Sequence, residues 1–436
     1  MENKNITQTS QNTNNFETSQ EISTSEINNT NIGYLIFGVF DITIAKPLEG
    51  AQIIISDDNQ NIMTVFTNES GQTDVIALET PSVDYSLDPN NSSTPYSTYN
   101  ALITADGYEI EEIKGIQIYA NNESIQDVYM KPLSSTNEIR ETIIIPPPTI
   151  YGEYPDKIPE SEEKDLPAES GFVVLDRVVI PEFIVVHDGD PNDNTAANYW
   201  VPYKDYIKNV ASSEIYSTWP DAAIRANILA INSFTLNRVY TEWYRSRGKN
   251  FTITNSTRFD QFFVYGRNIF EDISIIVDEM FTTYIKRPNQ RQPLLTQYCD
   301  GQRVSCPNWL SQWGSKYLAD QGYSAIQILR YYYGNDIYLD NAEKVSGVPS
   351  SYPGYPLELG SSGEDVRTIQ NQLNYISNNY PAINKLRADG IFGDQTRTAV
   401  LTFQQIFNMP QSGIVDFSTW YEISKVFVAV ERIAEL

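Results

Sequence analysis

Histidine is nearly absent: His187 is the single one among 436 residues. Zinc sites draw on several His and Cys ligands, so zinc chemistry is disfavoured from the start. Cysteine is as scarce, with Cys299 and Cys306 alone. The run CDGQRVSC has neither the two-residue spacing nor the partner pair of a zinc motif. It allows a small closed loop, or two free thiols. No apolar run is long enough to span a bilayer. The start, MENKNITQTSQNTNN, is polar and lacks the apolar core of a signal peptide. Export by the usual route is therefore not expected, unless lysis or engulfment delivers the chain. Basic residues are outnumbered, 30 Lys and Arg against 56 Asp and Glu, for a net charge of −26. Such a chain is repelled by nucleic acid and anionic lipid, so neither is expected as a partner. No motif calls for a metal or another cofactor.

What is present divides into blocks. Residues 1–32 are rich in Asn, Thr, Ser and Gln and read as a disordered leader. Residues 33–133 carry short β-rich runs such as AQIIISDD and YNALITADGY between Gly, Asn, Asp and Pro, which points to an antiparallel β-sandwich. Residues 134–170, with IIIPPPTI and PESEEKDLP, read as a Pro-rich acidic linker, extended, accessible and open to a processing protease. Residues 171–345 mix strand and helix patterns. Residues 352–436 alternate helical stretches with Gly turns. The fold class is therefore multidomain α+β: an N-terminal β-sandwich, a mixed α/β unit and a C-terminal three-helix unit.

Residues 203–244 organise the middle unit. Tyr203, Ile207 and Val210 share one face of a short helix that runs into a polar corner at Glu214. A second helix is expected after it, with Ser217 or Thr218 as cap, Pro220 near its first position and an apolar stripe through Ala223, Ala226, Ile231 and Phe234. A carboxylate beside Tyr216 and Trp219 is partly desolvated. Desolvation raises its pKa, which suits a general acid near neutrality.

The stretch VASSEIYSTWPDAAIRANILAINSF resembles the signature of the SpoIID/LytB family of peptidoglycan-cleaving proteins. The later LSQWGSKYLADQGYSAIQILRYYYG resembles that family's second motif. The resemblance implies a lytic transglycosylase with Glu214 as catalytic acid. The substrate contacts expected around it are Tyr216, Trp219, Asp260, Gln261, Tyr298, Gln312 and Trp313. Where the family commonly has an Arg in the Ala-rich helix, this chain has Asn232; Arg225 and Arg238 lie one or two turns away. The runs PLEGAQIIISDD and ALITADGYE resemble carboxypeptidase-regulatory or transthyretin-like domains, for which no catalysis is expected. LELGSSGEDVRTIQNQLNYI with ADGIFGDQTRTAVLTFQQIF resembles the type 1 peptidoglycan-binding domain.

The order of these blocks resembles spore cortex-lytic enzymes. That implies cortex peptidoglycan as substrate, location in the spore, and a zymogen whose N-terminal region is removed by a subtilisin-like germination protease. Three alternatives stay open. A muramidase would pair Glu214 with a second acid, Asp221 or Asp260. An amidase would release the stem peptide. A non-catalytic wall-binding protein would tolerate loss of Glu214.

Overall fold

The computed structural model describes residues 31–43, 46–57, 60–133, 140–162 and 177–434. Residues 1–30 of the expected leader lie outside the described residues, as do 134–139 and 163–170 of the expected linker.

The N-terminal unit holds β1 (Ile32–Asp41), β2 (Gln52–Ser56), β3 (Asn61–Phe66), β4 (Ile76–Glu79), the helical turn α1 (Asp84–Leu87), β5 (Ser97–Thr104), β6 (Ile110–Ile118), β7 (Glu123–Met130) and β8 (Arg140–Ile144). Period-two patterning sets which side faces in. In β2, Ile53 and Ile55 are buried while their neighbours are half-buried, and in β5 Tyr99, Ala101 and Ile103 point inward. One sheet has the order β3-β2-β5-β6-β8, and the other contains β7-β1-β4. Leu35, Phe37 and Val39 of β1 meet Ile53, Ile103 and Ile113 in a shared core.

Two features depart from the sequence reading. The sandwich is not all antiparallel: β1 pairs β7 in parallel, and β6 pairs β8 in parallel. And β8 lies inside the stretch expected to be a free linker. A short strand of the next unit, Ile269–Phe270, extends the second sheet by pairing antiparallel with β7, Ile269 opposite Ile125 and Phe270 opposite Ser124.

The middle unit is built on two consecutive helices, α2 (Tyr203–Glu214) and α3 (Asp221–Tyr240), with α4 (Glu271–Met280), α5 (Gln312–Asp320) and α6 (Ala325–Tyr333) around them. A three-stranded sheet of Asn198–Pro202, Phe183–His187 and Ile253–Thr254 packs alongside. The single histidine is structural here: its ring stacks on Phe251 at 4.3 Å and its Nδ1 lies 2.8 Å from the Asn198 side chain.

α3 carries more than a stripe, since nearly all of it is buried from Ala223 onward. Its polar residues are therefore tied internally. Ser233 donates to the Leu229 carbonyl at 2.7 Å, and Asn237 donates to the Pro293 carbonyl at 2.7 Å. Asn232 accepts from the Tyr203 hydroxyl at 2.6 Å and donates to the Phe281 and Thr283 carbonyls. The expected cap is also different. Pro220 takes the N-cap position without a side-chain bond. The Ser217 hydroxyl donates instead to Asn122 at 2.9 Å, and Thr218 lies 2.7 Å from the Ser86 hydroxyl, so both serve the contact with the sandwich.

The C-terminal unit has three helices, α7 (Glu364–Ile376), α8 (Asp394–Ile406) and α9 (Phe417–Ala434). Val366, Leu373, Phe392, Val400, Phe403 and Trp420 form its core, whereas Leu359 is exposed. One device occurs twice. Buried Gln370 accepts the Gly390 N–H at 2.8 Å, and buried Gln404 accepts the Gly413 N–H at 2.8 Å. Both glycines sit at positive φ, +77° and +67°, where a side chain would strain the turn. Lys204 of α2 joins this unit to the middle one, 2.6 Å from Glu422 and 3.0 Å from Asp278.

Candidate active site

Glu214 is the last residue of α2 and is 2% exposed. Its position is fixed from the helix upward. The Asn209 side chain, one turn earlier, accepts from the Val264 N–H at 2.9 Å and donates to the Val264 carbonyl at 2.8 Å. That pins the loop after Gln261 against α2. The Phe262 N–H then donates to Glu214 Oε1 at 2.7 Å. Among the described residues Oε2 has no partner at hydrogen-bond geometry. The Tyr298 hydroxyl also acts on the carboxyl and favours its charged form.

Burial pushes the Glu214 carboxyl up from 4.5 to about 7, against the opposing pull of Lys157, Tyr298 and the Phe262 N–H. At that value both protonation states are populated near neutrality, as proton transfer in either direction requires.

The candidate contacts fall into three groups. Tyr298 stands beside Glu214, and its hydroxyl accepts from Gln261 at 3.2 Å. Gln261 is committed inside the fold: it also donates to the Ile231 carbonyl and accepts from the Tyr206 hydroxyl. It positions Tyr298 rather than reaching a ligand. Asp260 is likewise committed. Its carboxylate takes Arg238 Nε at 2.7 Å, the Tyr244 hydroxyl at 2.7 Å and the Thr254 N–H at 2.9 Å, and it is fully buried.

Tyr216, Trp219 and Trp313 form a separate aromatic cluster, Trp219 to Trp313 at 5.0 Å and Tyr216 to Trp313 at 5.9 Å between ring centres. The sandwich covers it. Trp219 donates its indole N–H to the Ser86 carbonyl at 3.0 Å, and the Tyr119 ring lies 5.6 Å from that of Tyr216. Gln312 opens α5 next to Trp313 and is buried.

The sequence reading missed what lies over Glu214. Residues 145–162, expected to be loose, cross the middle unit. The Thr149 N–H donates to the Ser213 carbonyl at 3.0 Å, beside Glu214 itself. Tyr154 packs edge-on against Phe262 at 4.6 Å. The Lys157 ammonium bonds the Asp260 carbonyl and sits over the rings of Phe234, at 4.6 Å, and Tyr298, at 5.0 Å. Burial lowers the Lys157 amine to about 8, while the Glu214 charge opposes that drop. Glu160 pairs with Arg238. Only one hint was present in the sequence: a lone Lys between Pro155 and Pro159 in an acidic run.

Cys299 and Cys306 are joined in a disulfide, with Cα atoms 5.8 Å apart. Their loop follows Tyr298 directly. At its turn Gly301, with φ +75°, lies so close to Ser311 that a Cβ would clash with its side chain. Arg303 of this loop bonds the carbonyls of Tyr151 and Gly152. Among the described residues no cluster of three or more His, Cys, Asp or Glu is arranged to hold a metal ion.

No curated protein matches the chain. Among solved structures, one match is a fused Zn-dependent amidase/peptidase/peptidoglycan-binding domain-containing protein from Clostridium acetobutylicum. It is 37% identical over 16% of this chain and 28% of its own length, with a TM-score of 0.14. The SleB N-terminal domain is 28% identical over 18% of this chain and 99% of its own, with a TM-score of 0.16. The 5-hydroxyisourate hydrolase of Klebsiella pneumoniae is 12% identical over 23% of this chain and 86% of its own, with a TM-score of 0.16. Each overlaps only a small part of the chain. A family model that matches is the putative peptidoglycan binding domain, over residues 362–423, which take in α7, α8 and the start of α9.

Proposed function

We propose that this chain is the zymogen of a lytic transglycosylase that cleaves the glycan strands of spore-cortex peptidoglycan. Its block order resembles that of the spore cortex-lytic enzyme SleC. The observation that carries the reading is Glu214: a buried carboxyl with one oxygen held by a backbone N–H, the other without a geometric hydrogen bond among the described residues, and a pKa of about 7. The peptidoglycan-binding unit supports the substrate class, because it tethers the acid to an insoluble polymer.

Protonated Glu214 donates to the glycosidic oxygen as the bond to the anomeric carbon breaks. The resulting carboxylate takes the proton of the muramic acid 6-hydroxyl, and that oxygen closes on the anomeric carbon. The product is a 1,6-anhydro sugar and no water is consumed. One carboxyl serves as acid and then base. A muramidase would need a second carboxylate at the site. The two weighed for that part are engaged elsewhere: Asp221 pairs with Arg225 on the surface, and Asp260 with Arg238, Tyr244 and Thr254.

Latency is supported by the sandwich, which covers Tyr216 and Trp219. An attached domain keeps a high effective concentration even when its contacts are weak, and proteolysis would let it leave.

The test is product analysis on cortex sacculi with protein cut between the sandwich and residue 177. Anhydro-muramic ends are expected, and Glu214→Gln should lower their release at least about a hundredfold. Reducing ends carrying solvent oxygen would replace this reading with hydrolysis. Released stem peptides would replace it with an amidase, and undiminished release by the folded variant would remove Glu214 from the chemistry.

A further inference from the structure

Residues 154–160 are held across the Glu214 site much as a ligand would be. Backbone pairing is one sign. The Gln297 side chain accepts the Glu160 N–H at 2.8 Å and donates to the Glu160 carbonyl at 2.7 Å. Gln297 is itself fixed, since its own carbonyl accepts the Tyr333 hydroxyl at 2.8 Å. A side-chain amide that pairs both ways with one residue's backbone recognises peptide, whatever the side chains.

Charge is the second sign. The Glu160 carboxylate bridges Arg238 Nη1, at 3.1 Å, and Nη2, at 2.5 Å. This two-point geometry is specific for a planar carboxylate. The Arg238 side chain is fully buried, and Nε is already spent on Asp260. Departure of the segment leaves Nη1 and Nη2, the latter also donating to the Phe259 carbonyl, without their carboxylate, and such a fork favours a planar anion.

We propose that Gln297 and Arg238 form a subsite for an acidic peptide carried by the glycan, and that residues 154–160 occupy it in the latent chain as an internal stand-in. Peptidoglycan strands carry short peptides with free carboxylates, which supplies the matching chemistry. Position fits as well. Lys157 lies on the rings of Phe234 and Tyr298 beside Glu214, and three residues of extended chain span at most about 10 Å. The peptide recognised is therefore one borne near the sugar being cleaved. This inference rests on the proposed glycan-cleaving reading but is tested by binding.

The full chain carrying Lys157→Glu and Glu160→Gln sets a carboxylate against Glu214 and removes the anchor, which expels the segment without touching the core. The probes are a purified disaccharide-tetrapeptide muropeptide and the same disaccharide without peptide, titrated by calorimetry. The opened protein should bind the muropeptide at least about tenfold more tightly than wild type does, the scale of one charge-assisted pair. It should also bind the muropeptide at least about tenfold more tightly than the bare disaccharide. Adding Gln297→Ala should erase that preference, and adding Arg238→Gln should do the same, with thermal unfolding confirming a folded protein. Equal muropeptide binding by wild type and opened protein would show that the segment is no stand-in. Equal binding of both probes by the opened protein, or a preference that survives Gln297→Ala, would refute the peptide subsite. If the opened protein binds with the expected preference but, once cut between the sandwich and residue 177, releases no fragments from sacculi, the subsite stands and the transglycosylase reading falls.

Discussion

Glu214 is a carboxyl that the fold keeps protonated beyond its ordinary range. The unfolded chain releases this proton near 4.5 and the folded chain near 7. Between those values the folded state binds more protons, so its stability falls as pH rises through the window. Glu214→Gln keeps the Phe262 contact and removes that penalty. The variant should match wild type near pH 4 and exceed it near pH 8 by on the order of 3 kcal/mol, because each pH unit separating the two values is worth about 1.4 kcal/mol. Urea unfolding at both values checks this; a pH-independent difference would mean that folding leaves the carboxyl at its ordinary acidity. Loss of the Lys157 charge should move the upper end of that stability window higher, because Lys157 favours the charged carboxylate. At this scale the sequence singled out Glu214 and was poor about its neighbours. Glu214 stood out through the residues around it. Gln261 drew attention through the family resemblance and Asp260 as a possible second acid, but their partners, Arg238, Thr254 and Tyr206, are brought in by tertiary packing that no local pattern encodes.

Elements divide in the same way. α2 was legible because Tyr203, Ile207 and Val210 recur at helical spacing. The segment after β8 was not, because proline and acid runs have the composition of a free spacer. Its order comes from distant partners: Ser213, Gln297, Arg238 and the disulfide loop. That loop gives a prediction. Opening it with Cys299→Ser and Cys306→Ser should cost about 2–3 kcal/mol, from loop-closure entropy for so short a ring. It should also loosen Arg303 from the carbonyls of Tyr151 and Gly152. Limited proteolysis should then cut near residue 152 sooner than in wild type, and an unchanged cutting rate would show that the loop does not clamp the segment.

Across the whole molecule, three units share contacts that a reading by blocks treats as independent. The three-helix unit was the most legible part, since its Gly turns and apolar spacing are local. Its attachment was not. Lys204, Asp278 and Glu422 come from three separate helices, and nothing in their neighbours marks them as one buried group. Glu422→Ala leaves Lys204 to share Asp278 with Lys208, a buried cluster one carboxylate short, which destabilises the attachment. The three-helix unit should then swing away from α2, seen as a larger radius of gyration in small-angle scattering. An unchanged radius would mean that apolar contacts such as Phe281 with Tyr421 hold the interface unaided.

The pairing of Ile269–Phe270 with β7 bears on timing. Cutting the chain between sandwich and middle unit breaks one covalent connection and leaves that ladder intact, together with the aromatic contact of Tyr119 with Phe270 at 5.1 Å. Separation must then unzip a shared sheet edge, a step with its own rate constant. Activity should therefore trail cleavage by a measurable lag, first-order in protein and independent of how much protease is added. Replacing Ile269 with proline, which removes a ladder donor, should shorten it.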